Sequence, residues 1–105
     1  MADRTGLSYS SATILQALSA GYIYGYTVME ATGFPSGTVY PALRRLEAGQ
    51  LIRSQWERQS AVDAALRPPR RYYKLTQSGE AALEVSRKRY PLLAKLAPKE
   101  EVQDV

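Results

Sequence analysis

Ser36-Gly37-Thr38-Val39-Tyr40-Pro41-Ala42-Leu43-Arg44-Arg45-Leu46-Glu47 is the stretch on which the fold turns. Advanced at about 100° per residue, Val39, Ala42, Leu43 and Leu46 fall on one stripe, which predicts a helix with one face turned into a core. Gly37, Tyr40, Pro41 and Arg44 fall opposite, with Thr38 and Arg45 on the flank. The outer face is small near its start and carries two guanidinium groups further on, planar forks suited to phosphate and to guanine edges. Reading duplex DNA is the chemistry this face implies. A solvated helix with arginines on its wet side has the same pattern, so the neighbouring segments must discriminate.

Upstream, Ser8 or Ser10 can cap a helix over residues 9–20, whose Ala12, Ile14, Leu15, Ala17 and Leu18 form a broad apolar stripe before Gly21. Tyr22-Ile23-Tyr24-Gly25-Tyr26 reads as an aromatic turn leading into a short helix over 25–31. Its tyrosines can stack on bases or join helix to helix. Thr32-Gly33-Phe34-Pro35 breaks the pattern, because Gly33 can end one helix and Pro35 pre-sets the next. Two helices joined by about four residues, the second opened by a Ser36 cap, make a helix-turn-helix. Pro41 removes the N–H that would pair with Gly37, which predicts a bent or irregular first turn rather than a broken helix, since the apolar spacing continues to Leu46; Gly49 stops the helix.

Downstream, residues 51–57 and 71–75 read as two strands, the second rich in tyrosine, with a polar, proline-marked loop over 58–70. A two-stranded antiparallel ribbon directly after a helix-turn-helix is a wing. Arg67, Arg70 and Arg71 surround Pro68-Pro69, so they sit on stiffened backbone where they can follow a minor groove or a line of phosphates. Thr76 caps a last helix from 77 to about 90 that Pro91 kinks or ends. This helix and the residues after it, through Leu96, carry more apolar side chains than one small domain needs, and so point to a second subunit. The fold class is mostly α with a small two-stranded antiparallel β-wing: residues 1–76 form a winged helix-turn-helix DNA-binding domain (1–7 a loose arm), 77–97 a C-terminal dimerisation helix packed on the same domain, and 98–105 an acidic tail.

The 105 residues hold one domain, and 45% hydrophobic with 23% charged residues is ordinary globular composition. The net charge of +4 is concentrated in residues 36–76, where eight Lys or Arg face three acids, a local net of +5. That distribution favours a polyanionic partner. There is neither cysteine nor histidine, so disulfides, thiolate metal sites and the commonest general base are excluded; no phosphate loop or paired carboxylates occur. An enzyme is not expected, and no cofactor is implied. No apolar run approaches bilayer length and no signal peptide is evident, so a cytoplasmic protein is expected.

Over about residues 12–83 the sequence resembles the PadR-like transcriptional regulators. The resemblance rests on Tyr24-Gly25-Tyr26, on Gly37 to Glu47 with Gly49 and Leu51-Ile52, and on Pro69-Arg70-Arg71-Tyr72-Tyr73-Lys74-Leu75-Thr76 with Gly79. It implies a winged helix that dimerises chiefly through its C-terminal helix (Leu83, Tyr90, Leu93) with support from helix one (Ile14). It also implies a palindromic operator, repression, and a Tyr-Pro pair native to the recognition helix. The short tail matches the branch without a large effector domain. On this basis the DNA-binding residues are Ser36, Gly37, Thr38, Tyr40, Arg44, Arg45, Arg67, Arg70 and Arg71. The resemblance also offers a small aromatic effector held between subunits and lined by Trp56 and Tyr90, residues that serve equally as filling for a dimer core. A winged helix devoted to protein–protein contact, without DNA, is the alternative.

Overall fold

Ser8 begins the first helix by the expected device: its Oγ accepts the Ser11 N–H, and α1 runs Tyr9–Ser19. In the computed structural model, which describes residues 6–58 and 66–96, α1 is the central element. Every residue from Ser11 to Leu18 is buried, and α1 touches the next two helices, the second strand and the C-terminal helix. The polar residues on it are satisfied locally or across the core: Thr13 Oγ1 donates to Tyr9 O, and Gln16 Oε1 accepts from Arg87 Nε at 3.0 Å.

Helix α2 spans Gly25–Thr32 and ends at Gly33, whose φ of 78° is the left-handed cap that glycine tolerates. Helix α3 spans Ser36–Ala48 and corrects one expectation. Pro35, not Ser36, is the N-cap: its carbonyl accepts from Thr38 and Val39 at 2.9 and 3.0 Å, and its extended backbone suits the position. The helix is continuous through Pro41, in keeping with the apolar spacing that runs undisturbed to Leu46. Pro41 lies beyond the first turn and leaves the carbonyl of Gly37 without its usual N–H partner.

Strand β1 (Ile52–Trp56) pairs antiparallel with β2 (Arg71–Leu75), Ile52 opposite Leu75 and Trp56 opposite Arg71. A further rung has no counterpart in the sequence pattern: Tyr24 bridges to Tyr72, and the Tyr73 N–H donates to Ile23 O at 2.9 Å. The segment expected as an aromatic turn therefore ties α1 and α2 to the ribbon. Helix α4 spans Gln77–Arg89, capped by Thr76, whose Oγ1 accepts from Gly79 N and donates to Gln50 O. The α-helix stops before Pro91, which opens a 3-10 turn over Pro91–Lys95. Leu7 is not loose, since it packs on the core and its carbonyl accepts the Tyr90 hydroxyl at 2.9 Å. The rest of the arm, part of the wing loop and the acidic tail lie outside the described residues.

Ile14, Leu15, Val28, Val39, Leu43, Ile52 and Leu83 are fully buried and fill the space between helices and ribbon. Each contributes about 1.5–3 kcal/mol through burial, so this cluster fixes how α3 sits against the wing. Ile14, Leu83 and Leu93, expected at a subunit interface, are 0%, 1% and 3% exposed. Their surface is covered within the protomer.

Candidate nucleic-acid interface

The buried stripe Val39, Ala42, Leu43 and Leu46 leaves Ser36, Gly37, Tyr40, Arg44 and Arg45 exposed on α3, with Thr38 partly so. Among the described residues Arg44 and Arg45 make no ion pair and no side-chain hydrogen bond, and the hydroxyls of Ser36 and Thr38 have no protein partner. The early turns of α3 thus present small residues and free donors, and its middle presents unengaged guanidinium groups. That is a surface able to approach a polyanion closely at one end and hold it at the other.

Tyr40 is positioned by a glycine. A methyl group on Gly25 would come within 2.6 Å of Tyr40 Cζ, so the ring can lie across the start of α2 only because residue 25 has no side chain. Tyr24, Gly25, Tyr26, Tyr40, Arg70, Arg71 and Tyr73 line one cleft of about 180 Å³. Elements from α2, α3 and the wing therefore meet on one side of the molecule. Tyr73, at the floor, is buried, and burial pushes its hydroxyl above the ordinary tyrosine value; the Arg71 and Arg44 charges oppose that shift.

The wing arginines are held by partners of their own. Arg70 Nη1 donates to the Tyr26 hydroxyl at 2.8 Å, and its guanidinium lies 5.2 Å from the Tyr26 ring centroid and 5.8 Å from that of Tyr24. Arg71 Nε donates to Ser54 Oγ at 2.9 Å, and its Nη2 lies 3.8 Å from Glu47 Oε1 on α3. Ser54 Oγ in turn donates to Glu47 Oε2 at 2.7 Å, which completes a bridge from α3 through β1 to β2. Arg67 pairs with Glu57 at 2.9 Å.

Glu57 is a hub that the sequence did not single out. Its carboxylate accepts from the Tyr24 hydroxyl, from Arg67 and from the Arg70 N–H, while its own N–H donates to Arg70 O. The Tyr24 hydroxyl, followed by Arg67, holds this carboxyl down to about 2. The shared proton pushes the Tyr24 phenol up in return. The available signal was an acid embedded in a basic segment beside a strand end.

The residues expected to line an effector site have different surroundings. Trp56 is 64% exposed on the wing with Arg71 over its ring, whereas Tyr90 ends α4 in edge contact with Tyr9 and bonded to Leu7. No described contact joins them.

Among the described residues, four α-helices and a two-stranded ribbon in this arrangement make a winged helix-turn-helix. Residues 14–85 match the model of the transcriptional regulator PadR-like family, and the chain belongs to that family. A PadR family transcription regulator from Clostridium difficile superposes with a TM-score of 0.67 at 29% identity, covering 84% of this chain and 93% of that one. A PadR-like transcription factor from Bacteroides fragilis gives 0.64 at 27% identity, covering 81% and 82%. A PadR-like transcriptional regulator from Bacillus cereus gives 0.62 at 25%, covering 81% and 84%. No curated protein sequence matches the chain. Among the described residues, no helix is long and apolar enough to cross a membrane.

Proposed function

We propose that the chain is a sequence-specific DNA-binding repressor that acts as a homodimer on a palindromic operator. One observation carries this reading: Tyr40 of α3 and Arg70 and Arg71 of the wing line the same cleft, so recognition helix and wing face one partner together. Two protomers set their α3 helices into successive major grooves about one helical turn apart, with Ser36, Gly37, Thr38 and Tyr40 close to the duplex, Arg44 and Arg45 further along the groove, and the wings on the flanking backbone.

The dimer uses what the protomer core leaves exposed. Val85 (56%) and Leu92 (68%), with Ala81 one turn before Val85, form an apolar stripe along α4 and the turn after it. This stripe replaces the buried Ile14, Leu83 and Leu93 as the proposed contact.

The test begins with duplexes selected from a random pool, and reads affinity, salt dependence and mass in solution. Arg44→Ala is expected to cost about 1–3 kcal/mol and relax preference at one base position, while Arg70→Ala weakens all sequences alike and lowers the salt slope by about 1. Equal losses with unchanged preference would remove base reading from Arg44. Failure to retain any duplex would favour a protein-binding winged helix instead.

A further inference from the structure

The core-facing side of β1 does not end where α3 ends. Side chains alternate along a strand, so Ile52, Ser54 and Trp56 share a face. Ile52 is buried, Ser54 bonds Glu47 of α3, and Trp56, one pleat further, is 64% exposed. The indole overhangs solvent on the side where α3 and the wing meet. It is not loose there, because Arg71 is its cross-strand partner and holds its guanidinium 5.7 Å from the ring centroid. Arg71 is itself fixed by Ser54 and Glu47.

An apolar plane of this size left in water is a cost unless something covers it, and the cation beside it limits what can. A fixed guanidinium next to a flat apolar ring matches a sugar–phosphate chain, in which anionic oxygens alternate with the apolar faces of deoxyribose. A neutral hydrophobic ligand would cover the ring but make no use of the guanidinium held beside it.

Resting on the DNA-binding reading, we infer that Trp56 is an uncharged anchor of the wing, packing on deoxyribose of the duplex flank while Arg71 takes the adjoining phosphate. The two residues act as a unit but differ in one measurable respect. Arg71 displaces counterions from the duplex and Trp56 does not.

Affinity for a duplex recovered from a random pool, measured across salt concentrations, separates them. Trp56→Ala is expected to weaken binding about tenfold at every salt concentration with the slope unchanged, and Trp56→Phe to recover part of the loss. Arg71→Ala is expected to lower the slope by about 1. Trp56 is the single tryptophan, so its emission in the wild-type chain reports the contact directly. Saturating duplex should protect it from acrylamide quenching. Unchanged affinity in Trp56→Ala, or quenching in the complex equal to that of the free chain, overturns the inference while leaving DNA binding intact. A wild-type chain that binds no duplex overturns both.

Discussion

Replacing Gly25 with alanine separates the shape of the interface from the stability of the fold. The added methyl would lie within 2.6 Å of Tyr40 Cζ, and one of the two must move. The start of α2 is pinned, because Tyr24 bridges to Tyr72, Ile23 accepts from Tyr73 and Tyr24 O accepts the Val28 N–H. The ring is free to yield, being already 38% exposed. Full burial of a large side chain is worth about 1.5–3 kcal/mol, so expelling this ring costs about 1–2 kcal/mol. Alanine returns up to about 1 kcal/mol of backbone entropy. The net loss is below about 2 kcal/mol, a drop in melting temperature of less than about 16 °C and centred near half that. Gly79 supplies the contrast. A methyl there would overlap the Leu51 backbone carbonyl, which cannot rotate aside, so Gly79→Ala should cost about 3 kcal/mol and melt about 12–24 °C lower. Calorimetry and fluorescence anisotropy with a selected duplex read the two quantities. Gly25→Ala should bind about tenfold more weakly, having moved Tyr40, whereas Gly79→Ala should bind normally below its transition. The Gly25→Ala effect should also vanish in a Tyr40→Ala background. Equal destabilisation by both glycine substitutions, or a Gly25→Ala loss of affinity that persists without the Tyr40 ring, would refute this reasoning.

Two further outcomes rest on single residues. Gly37 has open space where a Cβ would stand, so Gly37→Ala should stabilise α3 by up to about 1 kcal/mol and still weaken duplex binding, since the methyl projects from the exposed face; a gain in both would place Gly37 away from DNA. Glu57 is held at about 2, below its ordinary 4.5, so its stabilising contacts are complete above 4.5 and are lost as pH falls toward 2. Thermal unfolding of the wild type should therefore weaken through that window, Glu57→Gln should lack that component, and identical acid profiles for the two would deny Glu57 its role as hub.

Local chemistry makes most of the helix ends legible. Ser8 and Thr76 cap, Gly33 adopts a left-handed φ, and the apolar spacing of α3 matches its buried face residue by residue. Ser36 reads as a cap because side-chain preference favours serine there, while the chain uses the fixed extended backbone of Pro35. Tyr24 reads as part of a turn because a single bridged residue has no alternation of its own to betray it; its partner Tyr72 lies far along the chain. Periodicity reports that Ile14 and Leu83 are buried, but not which surface covers them, and helix α1, enclosed on all sides, supplies that cover within one protomer. Glu57 escapes notice for a similar reason, since a lone acid at the end of a strand gains meaning only when Tyr24 arrives from another element.

The carboxylates that hold the wing arginines, Glu47 on α3 and Glu57 after β1, make sense only with those arginines in mind. Glu47 and Glu57 subtract charge from the surface proposed to attract DNA, and partly exposed pairs of this kind add roughly 0–1 kcal/mol to stability. Their effect lies instead in side-chain freedom. An arginine carries about 2 kcal/mol of rotamer entropy, which a phosphate contact must otherwise overcome on binding. Arg67, Arg70 and Arg71 have much of that freedom removed in advance by Glu57, Tyr26, Ser54 and Glu47. Arg44 and Arg45 have no such restraint. Under the proposed function this division fits the two tasks: backbone phosphates recur at fixed spacing whatever the sequence, and suit arginines set in place, whereas base edges vary from site to site and suit arginines free to find them.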